Sequence, residues 1–418
     1  MIKLQTLKGF RDFLPQEARK RQYVINKLKT VFESFGFEPL ETPVLEYEET
    51  LTGKYGDEGD KLMYRFEDNG KRRVAMRYDQ TVPLSRVVAQ YQNDLPTIFK
   101  RYQIQPVWRA DKPQKGRYRE FVQCDVDTIG TDSPLADAEI IATAVRSLET
   151  LGFKKFKILI NDRENLKFIN ENERLPEEEN MMIIRAVDKL KKIGKDGVIN
   201  ELLTNGFSKE IAQRVMQEVE TRKPTPYLLQ IFEALETLGI DKNTFAFAPT
   251  LARGLDYYTG VIFEIEAEDY PVGSICGGGR YDKLIGMFAG RQISAVGCSF
   301  GFDRTIEAME ELKLFPDDLA NSSTTVLVTI FSEELKQKSL ETVNKLREQN
   351  INTEIYLGEI KEKNPLERQL KYADQKQIPF IAIIGPEEAE KNVITFKNMQ
   401  TREQKQSTID ELIRIIQN

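Results

Sequence analysis

Residues 116–130, GRYREFVQCDVDTIG, constrain the fold more than any other stretch of this chain. Successive side chains of a β-strand point to opposite faces. Read that way, the segment puts Arg117, Arg119, Phe121, Gln123, Asp125 and Asp127 on one side, and Tyr118, Glu120, Val122, Cys124 and Val126 on the other. The second set is mostly apolar and suits a core. The first is a row of cations, one aromatic ring, an amide and two carboxylates. Such a strand belongs in an antiparallel sheet that buries only one face. The strand alone leaves two readings of the polar face, a solvated surface or the floor of a binding site.

Its neighbours bear on that choice. The preceding run, KRYQIQPVWRA, ends at Arg109, the loop DKPQKG follows, and Arg117 opens the next strand. Two guanidinium groups flanking a hairpin loop suit a polyphosphate gripped from both sides. Lys112 and Lys115 in the loop suit a nucleic-acid backbone. Two further segments, LARGLDYYTG and SICGGGRYD, are punctuated by glycine. The run 277–279 marks a bulge, a tight turn or a backbone close to a ligand, and it matches neither a P-loop nor a dinucleotide fingerprint. Tyr257 and Tyr258 read as core or rim aromatics, and Arg253 as an anion ligand only in company.

The 418 residues are enough for two or three domains. A helix is predicted over 16–35, stopped at Gly36, and another from Ser133-Pro134 to Gly152. Residues 64–130 are rich in strand signals. From 162 to 240 the chain is charged and helical in pattern, an insertion. Strand signals return in FAFAP, VIFEIEA and AVGCSFGF, the last running into a helix through about Leu312. After the linker LKLFPDDLANSSTT, the strands TVLVTIF, NTEIYL and PFIAIIG alternate with helices. They predict a small α/β domain with a largely parallel sheet. No apolar run approaches the ~20 residues of a membrane helix, and the N-terminus has no signal-type apolar core, so a cytoplasmic protein without membrane contact is expected.

Composition excludes whole classes of chemistry. The chain has no histidine, which rules out a Ser-His-Asp triad, a Cys-His pair, an HExxH zinc site and any enzyme imidazole. Three cysteines without CxxC spacing argue against a disulfide scaffold and a cysteine zinc site. Carboxylates, arginines, amides, hydroxyls and backbone remain. With a net charge of −6, a nucleic-acid partner would meet a local basic surface.

The motifs together resemble the histidyl-tRNA synthetase family of class II aminoacyl-tRNA synthetases over essentially the whole chain. GFRDFLP resembles the family's opening. FGFEPLETPVLE resembles class II motif 1, with Pro43 as its marker proline at the dimer interface, and VWRADKPQKGRYREFVQCDVD resembles motif 2. LARGLDYYTG and SICGGGRYD resemble the two histidine-specific signatures, and AVGCSFGFDR resembles motif 3, ending in Arg304. The resemblance implies an α+β catalytic core, an antiparallel sheet with flanking helices, split over 1–161 and 241–318. A helical insertion would span 162–240 and an α/β anticodon-binding domain 325–418. It implies histidine, ATP and tRNA(His) as substrates, magnesium carried with the ATP phosphates, and a homodimer formed through the motif 1 region. Carried over residue by residue, it places Arg109 on the α-phosphate, Arg117 on the γ-phosphate, Phe121 beneath the adenine and Arg304 above it. Arg253 would sit on the α-phosphate from the opposite side, where related enzymes use a metal, which makes Arg109 and Arg253 the catalytic pair. Asp79, Thr81 and Gln123 would hold the substrate α-amino group. Asp127 and Tyr258 would hold the imidazole nitrogens, with Tyr257 and Tyr281 nearby.

Asp79 and Asp127 stand where many bacterial members carry Glu, and Ala110 and Val122 stand where relatives often carry histidine. Val122 is expected on the apolar face, away from the ligands. The resemblance leaves a runner-up, a non-catalytic regulatory paralogue that senses histidine and activates ATP phosphoribosyltransferase. Arg109, Arg253, Arg304 and the C-terminal domain speak against it. A plain tRNA-binding module would leave the polar row without a purpose. With no enzyme imidazole, any limb near pH 6.5 in a rate profile is expected to belong to substrate histidine.

Overall fold

The computed structural model describes residues 2–54, 56–114, 116–170, 173–253, 257–270, 272–317, 319, 322–361 and 363–417. The chain divides into two compact units, Met1–Leu14 with Lys20–Phe315, and Pro15–Arg19 with Pro316–Asn418.

The first unit is built on eight strands: β1 (Glu38–Pro39), β2 (Phe99–Trp108), β3 (Glu120–Ile129), β4 (Phe156–Asp162), β5 (Phe245–Phe247), β6 (Val261–Ala267), β7 (Cys276–Arg280) and β8 (Ala295–Gly301). Their order across the sheet is β1-β2-β3-β8-β7-β6-β4-β5. The two edge pairings, β1 with β2 and β5 with β4, are parallel, and all the inner ones are antiparallel. One face is sealed by helices. Val24, Leu28 and Phe32 of helix Pro15–Ser34, Ile141 and Val145 of Pro134–Thr150, and Leu228, Ile231 and Leu235 of Pro226–Thr237 pack on it. The sheet answers with Cys124, Val126, Ile158, Ile160, Phe263, Val296 and Phe300. These are the alternating apolar positions of the strands, so the period-2 pattern decides which face is buried.

Several elements depart from the sequence reading. Within 64–130, residues Arg65–Glu67 and Arg73–Met76 lie outside the main sheet, in a separate three-stranded sheet where Arg73–Met76 pairs on one side with Leu45–Tyr47 and on the other with Arg65–Glu67. Thr81–Gln90 is a helix that buries Val82, Leu84, Val87 and Val88. Pro83 sits in its first turn, where a missing N–H costs nothing. The charged stretch yields helices Glu177–Asp188, Leu190–Thr204 and Lys209–Thr221, which share a second apolar cluster. The fourth helix, Pro226–Thr237, returns to the main core.

The second unit carries β9 (Val326–Val328), β10 (Thr353–Ile355), β11 (Phe380–Ile383), β12 (Ile394–Asn398) and β13 (Gln404–Ser407), in the order β10-β9-β11-β12-β13. The sheet is mixed, not largely parallel: β9 pairs parallel with β10 and β11, and the last two pairings are antiparallel. The sequence reading missed β12 and β13. TFKNM and EQKQS are polar, and their alternation is too short to stand out.

A buried ion pair ties the sheet to its helical layer. Arg280 at the end of β7 reaches Asp137 in the first turn of helix Pro134–Thr150, with Nε 3.2 Å from Oδ1, and Nη1 donates to the carbonyl of Thr131 at 2.9 Å. The Tyr227 hydroxyl donates to Asp137 Oδ2 at 2.8 Å. Removing one partner strands a buried charge, so Arg280→Ala is expected to destabilise the first unit by about 3–5 kcal/mol. The single tryptophan, Trp108 on β2, reports unfolding of this sheet by fluorescence in urea. A loss below about 1 kcal/mol would mean the pair does not tie the layers together.

Candidate active site

The open face of the sheet is organised by register. Arg101 on β2, Asp127 on β3, Gly297 on β8 and Gly279 on β7 lie side by side. One step along the strands come Gln103, Asp125, Ser299, Gly277 and Glu264, and then Gln105, Gln123 and Gly301. The polar row of the sequence thus becomes three cross-strand ranks, with side chains on β2 and β3 and, Ser299 apart, glycine on β7 and β8. The glycines are needed for space. A Cβ on Gly297 would collide with Asp127 Oδ1, and one on Gly277 would collide with the Arg253 guanidinium.

Above this floor is a cavity of about 600 Å³. Its walls include Asp79, Thr81, Arg109, Arg117, Phe121, Gln123, Asp127, Arg253, Tyr257, Tyr258, Tyr281 and Arg304, so residues far apart in sequence meet in one place. Gly254, Leu255 and Asp256 of the first glycine-punctuated segment, and Lys115 of the hairpin loop, lie outside the described residues.

At one end sit the acids. Asp127 Oδ2 lies 2.7 Å from Nη2 of Arg101, a fully buried guanidinium, and Oδ1 accepts from the Tyr281 hydroxyl. Burial pushes the Asp127 carboxyl up, opposed by Arg101 and Tyr281. Burial raises the phenols of Tyr258 and Tyr281, which keeps them protonated donors at neutral pH. Tyr257 packs between them, with ring centroids 4.8 Å from Tyr258 and 6.0 Å from Tyr281. Asp79 precedes helix Thr81–Gln90 and its Oδ1 accepts from the Val82 N–H at 3.1 Å. Gln80 Nε2 donates to the carbonyls of Gln105 (2.9 Å) and Gln123 (3.3 Å), which docks that helix end over the floor.

At the other end sit the cations. Arg109 lies between two rings, 4.3 Å from the centroid of Tyr78 and 5.1 Å from that of Phe121. Arg117 pairs with Asp111 at 2.9 Å, Arg253 with Glu264 at 3.1 Å, and Arg304 donates to the carbonyl of Ser274. Arg253 also lies 5.6 Å from the centroid of the Tyr258 ring, so it borders both groups of charge, and a cavity of this kind suits a ligand with a cationic and a polyanionic part.

Three expectations need correction. The row of ligands does not run through Arg119. The strand begins at Glu120, and the tip before it turns Arg119 away, so that Nε donates to the Asp111 carbonyl and its backbone N–H to that of Gly9. Val122 packs against the core cluster as its parity requires, yet it also reaches the cavity wall. Finally, substrate is not the only source of a titration near neutrality. Burial, with Asp127 and Asp79 nearby, pushes the Asp125 carboxyl up to about 7 despite Arg101 and Ser299.

Sequence reasoning missed Arg101 and the part played by Asp125. The signal was available: in KRYQIQPVW, Arg101, Gln103 and Gln105 alternate with Tyr102, Ile104 and Pro106. It also missed Arg11, whose guanidinium lies 3.2 Å from the Tyr118 ring centroid and 2.8 Å from Asp303 Oδ1. No local pattern announces a contact across nearly 300 residues.

Asp125 has a consequence for stability. An Asp near 3.8 when unfolded and about 7 when folded binds more protons in the native state between those values. Its stabilising contribution is therefore present at low pH and is lost as pH rises through about 7. Asp125→Asn is expected to gain stability relative to the parent between pH 4 and 8, measured by urea unfolding at several pH values. Parallel stability curves would show that Asp125 ionises normally.

Residues 9–305 match the histidyl-tRNA synthetase family, and residues 325–418 match the anticodon binding domain. A histidine–tRNA ligase from Cytophaga hutchinsonii is 40% identical, over 97% of this chain and 98% of that protein. The crystal structure of a histidyl-tRNA synthetase from Nostoc superposes with a TM-score of 0.84 at 29% identity, covering 100% of this chain and 99% of the other. A Bacillus halodurans structure described as an ATP phosphoribosyltransferase regulatory subunit/histidyl-tRNA synthetase shares the fold, with a TM-score of 0.72 at 22% identity over 92% of this chain and all of that one. The family match across both parts of the chain does not favour the regulatory alternative, and the chain belongs to the histidyl-tRNA synthetase family.

Proposed function

We propose that the cavity activates histidine with ATP at its two oppositely charged ends and then passes the histidyl group to tRNA(His). Histidine–tRNA ligation is the activity of the family, and the observation that carries the assignment to this cavity is the convergence of the acids and arginines on one sheet face. Histidine binds at the acidic end, its imidazole between Asp127 and Tyr258 and its α-amino group at Asp79, Thr81 and Gln123. Tyr281 holds Asp127 in place and Tyr257 closes the wall. ATP lies over the other end, with adenine between Phe121 and Arg304, the α-phosphate between Arg109 and Arg253, and the γ-phosphate at Arg117.

The substrate carboxylate is itself the nucleophile. It attacks the α-phosphorus, the bond to the β-phosphate oxygen breaks and pyrophosphate leaves. The protein supplies positioning and positive charge where negative charge gathers. In the second step a tRNA ribose hydroxyl attacks the histidyl carbonyl, its proton goes to an adenylate phosphate oxygen, and AMP leaves. Neither step asks for an enzyme imidazole. Magnesium carried with the ATP phosphates would supply charge neutralisation there.

The second unit serves tRNA, consistent with its match to the anticodon-binding family. A homodimer through the region of Pro43 is supported by Val44, Leu45, Tyr47 and Phe66, apolar side chains left exposed on the three-stranded sheet. A cytoplasmic site of action follows from the tRNA partner, and no helix among the described residues is long and apolar enough to cross a membrane.

Histidine-dependent ATP–pyrophosphate exchange tests the reading. Arg253 meets the charge that develops during transfer, so Arg253→Ala is expected to lower kcat by about 10²–10³-fold with little change in KM for ATP. A change confined to KM would reassign Arg253 to ground-state binding.

A further inference from the structure

The acidic end of the cavity holds more negative charge than the protein neutralises. Asp125 and Asp127 both belong to the cavity face of β3, 3% and 4% exposed. One buried guanidinium, Arg101, faces the two, and its close contact goes to Asp127. Asp125 is flanked in register by Gln103 and Ser299, neither of them charged. Among the described residues its Oδ1 has no hydrogen-bond partner, and it is closed off from the cavity as well. The side chain as a whole borders the cavity, where the positive charge of a ligand favours its ionised form.

Position narrows the partner. Asp125 lies between Gln123, assigned to the α-amino group, and Asp127, assigned to the imidazole, with about 6.8 Å per pair of residues along the strand. Asp79, also assigned to the α-amino group, is near enough to act on its ionisation. We propose that Asp125 is a further specificity-determining residue of the histidine pocket, whose carboxylate faces the charge of the substrate α-ammonium and whose carboxyl group gives its proton to solvent as that charge arrives. This rests on the assignment of the acidic end to histidine. The groups that set the ionisation of Asp125 are Arg101 on β2, Asp127 on its own strand, Ser299 on β8 and Asp79 before helix Thr81–Gln90. Burial and the two acids hold its carboxyl near 7 in the empty pocket, and an ammonium at contact distance tips it to the carboxylate.

The test is calorimetric titration of the full-length protein with L-histidine, and with 3-(imidazol-4-yl)propionate, which lacks the amine, in buffers of different ionisation enthalpy. At pH 7 the parent is expected to release about half a proton more on binding histidine than Asp125→Asn does, a comparison in which the ligand's own ionisation cancels, and this excess should fade by pH 8.5, when Asp125 is already ionised. Asp125→Asn is expected to bind histidine ~10–100-fold more weakly without the excess release, and to bind the analogue as the parent does. An unaltered histidine affinity, or an equal loss for the analogue, would overturn the proposal. So would equal proton release by parent and variant on binding histidine at pH 7. Histidine-dependent pyrophosphate exchange by the parent separates the two levels: its absence would sink the histidine assignment itself, whereas failure of the Asp125 contact leaves exchange intact.

Discussion

The site depends on one buried ion pair, Arg101 with Asp127, facing each other across the register of β2 and β3. A buried pair of this kind contributes little net stability, because desolvation offsets attraction. What it supplies is geometry. Arg101 holds one oxygen of Asp127 and Tyr281 holds the other, so the carboxylate proposed to meet the imidazole has a fixed place. Gly297 on the adjoining strand is glycine because the Asp127 carboxylate occupies the volume of its Cβ. The glycines of β7 and β8 are thus the counterpart of the charged side chains of β2 and β3.

Much of this was legible beforehand, for a physical reason. A strand with one apolar and one polar face states its own orientation, and the parity of 121–127 places Phe121, Gln123, Asp125 and Asp127 on the cavity side and Cys124 and Val126 in the core. The resemblance to a family supplied the rest of the site, since nothing in 251–260 or 295–304 says locally that Arg253 and Arg304 border the cavity of Asp127. Parity failed where the strand stops: Arg119 belongs to the hairpin tip, and its direction is set by Gly9 and Asp111. It failed again in the second unit, where β12, with only Ile394 and Phe396 apolar, and the polar β13 add in turn to the sheet, β12 on β11 and β13 on β12.

The absence of histidine reads differently once the fold is known. Composition alone assigns any limb near pH 6.5 to substrate histidine. Burial beside other acids gives Asp125 a titration near neutrality without an imidazole. Composition limits which groups are present, and environment decides where they ionise. A destabilising carboxyl kept in a binding cavity is an expected trade of stability for function.

The central claim is that recognition of histidine is concentrated at Asp127 and its fixed geometry. The most direct test is histidine-dependent ATP–pyrophosphate exchange by Asp127→Asn, which keeps the shape and removes the charge. The account expects kcat/KM for histidine to fall by at least ~10²-fold, because a site built around a charged acceptor is left mispaired, with KM for ATP within about threefold of the parent. Near-normal kcat/KM for histidine in a folded Asp127→Asn protein would contradict it.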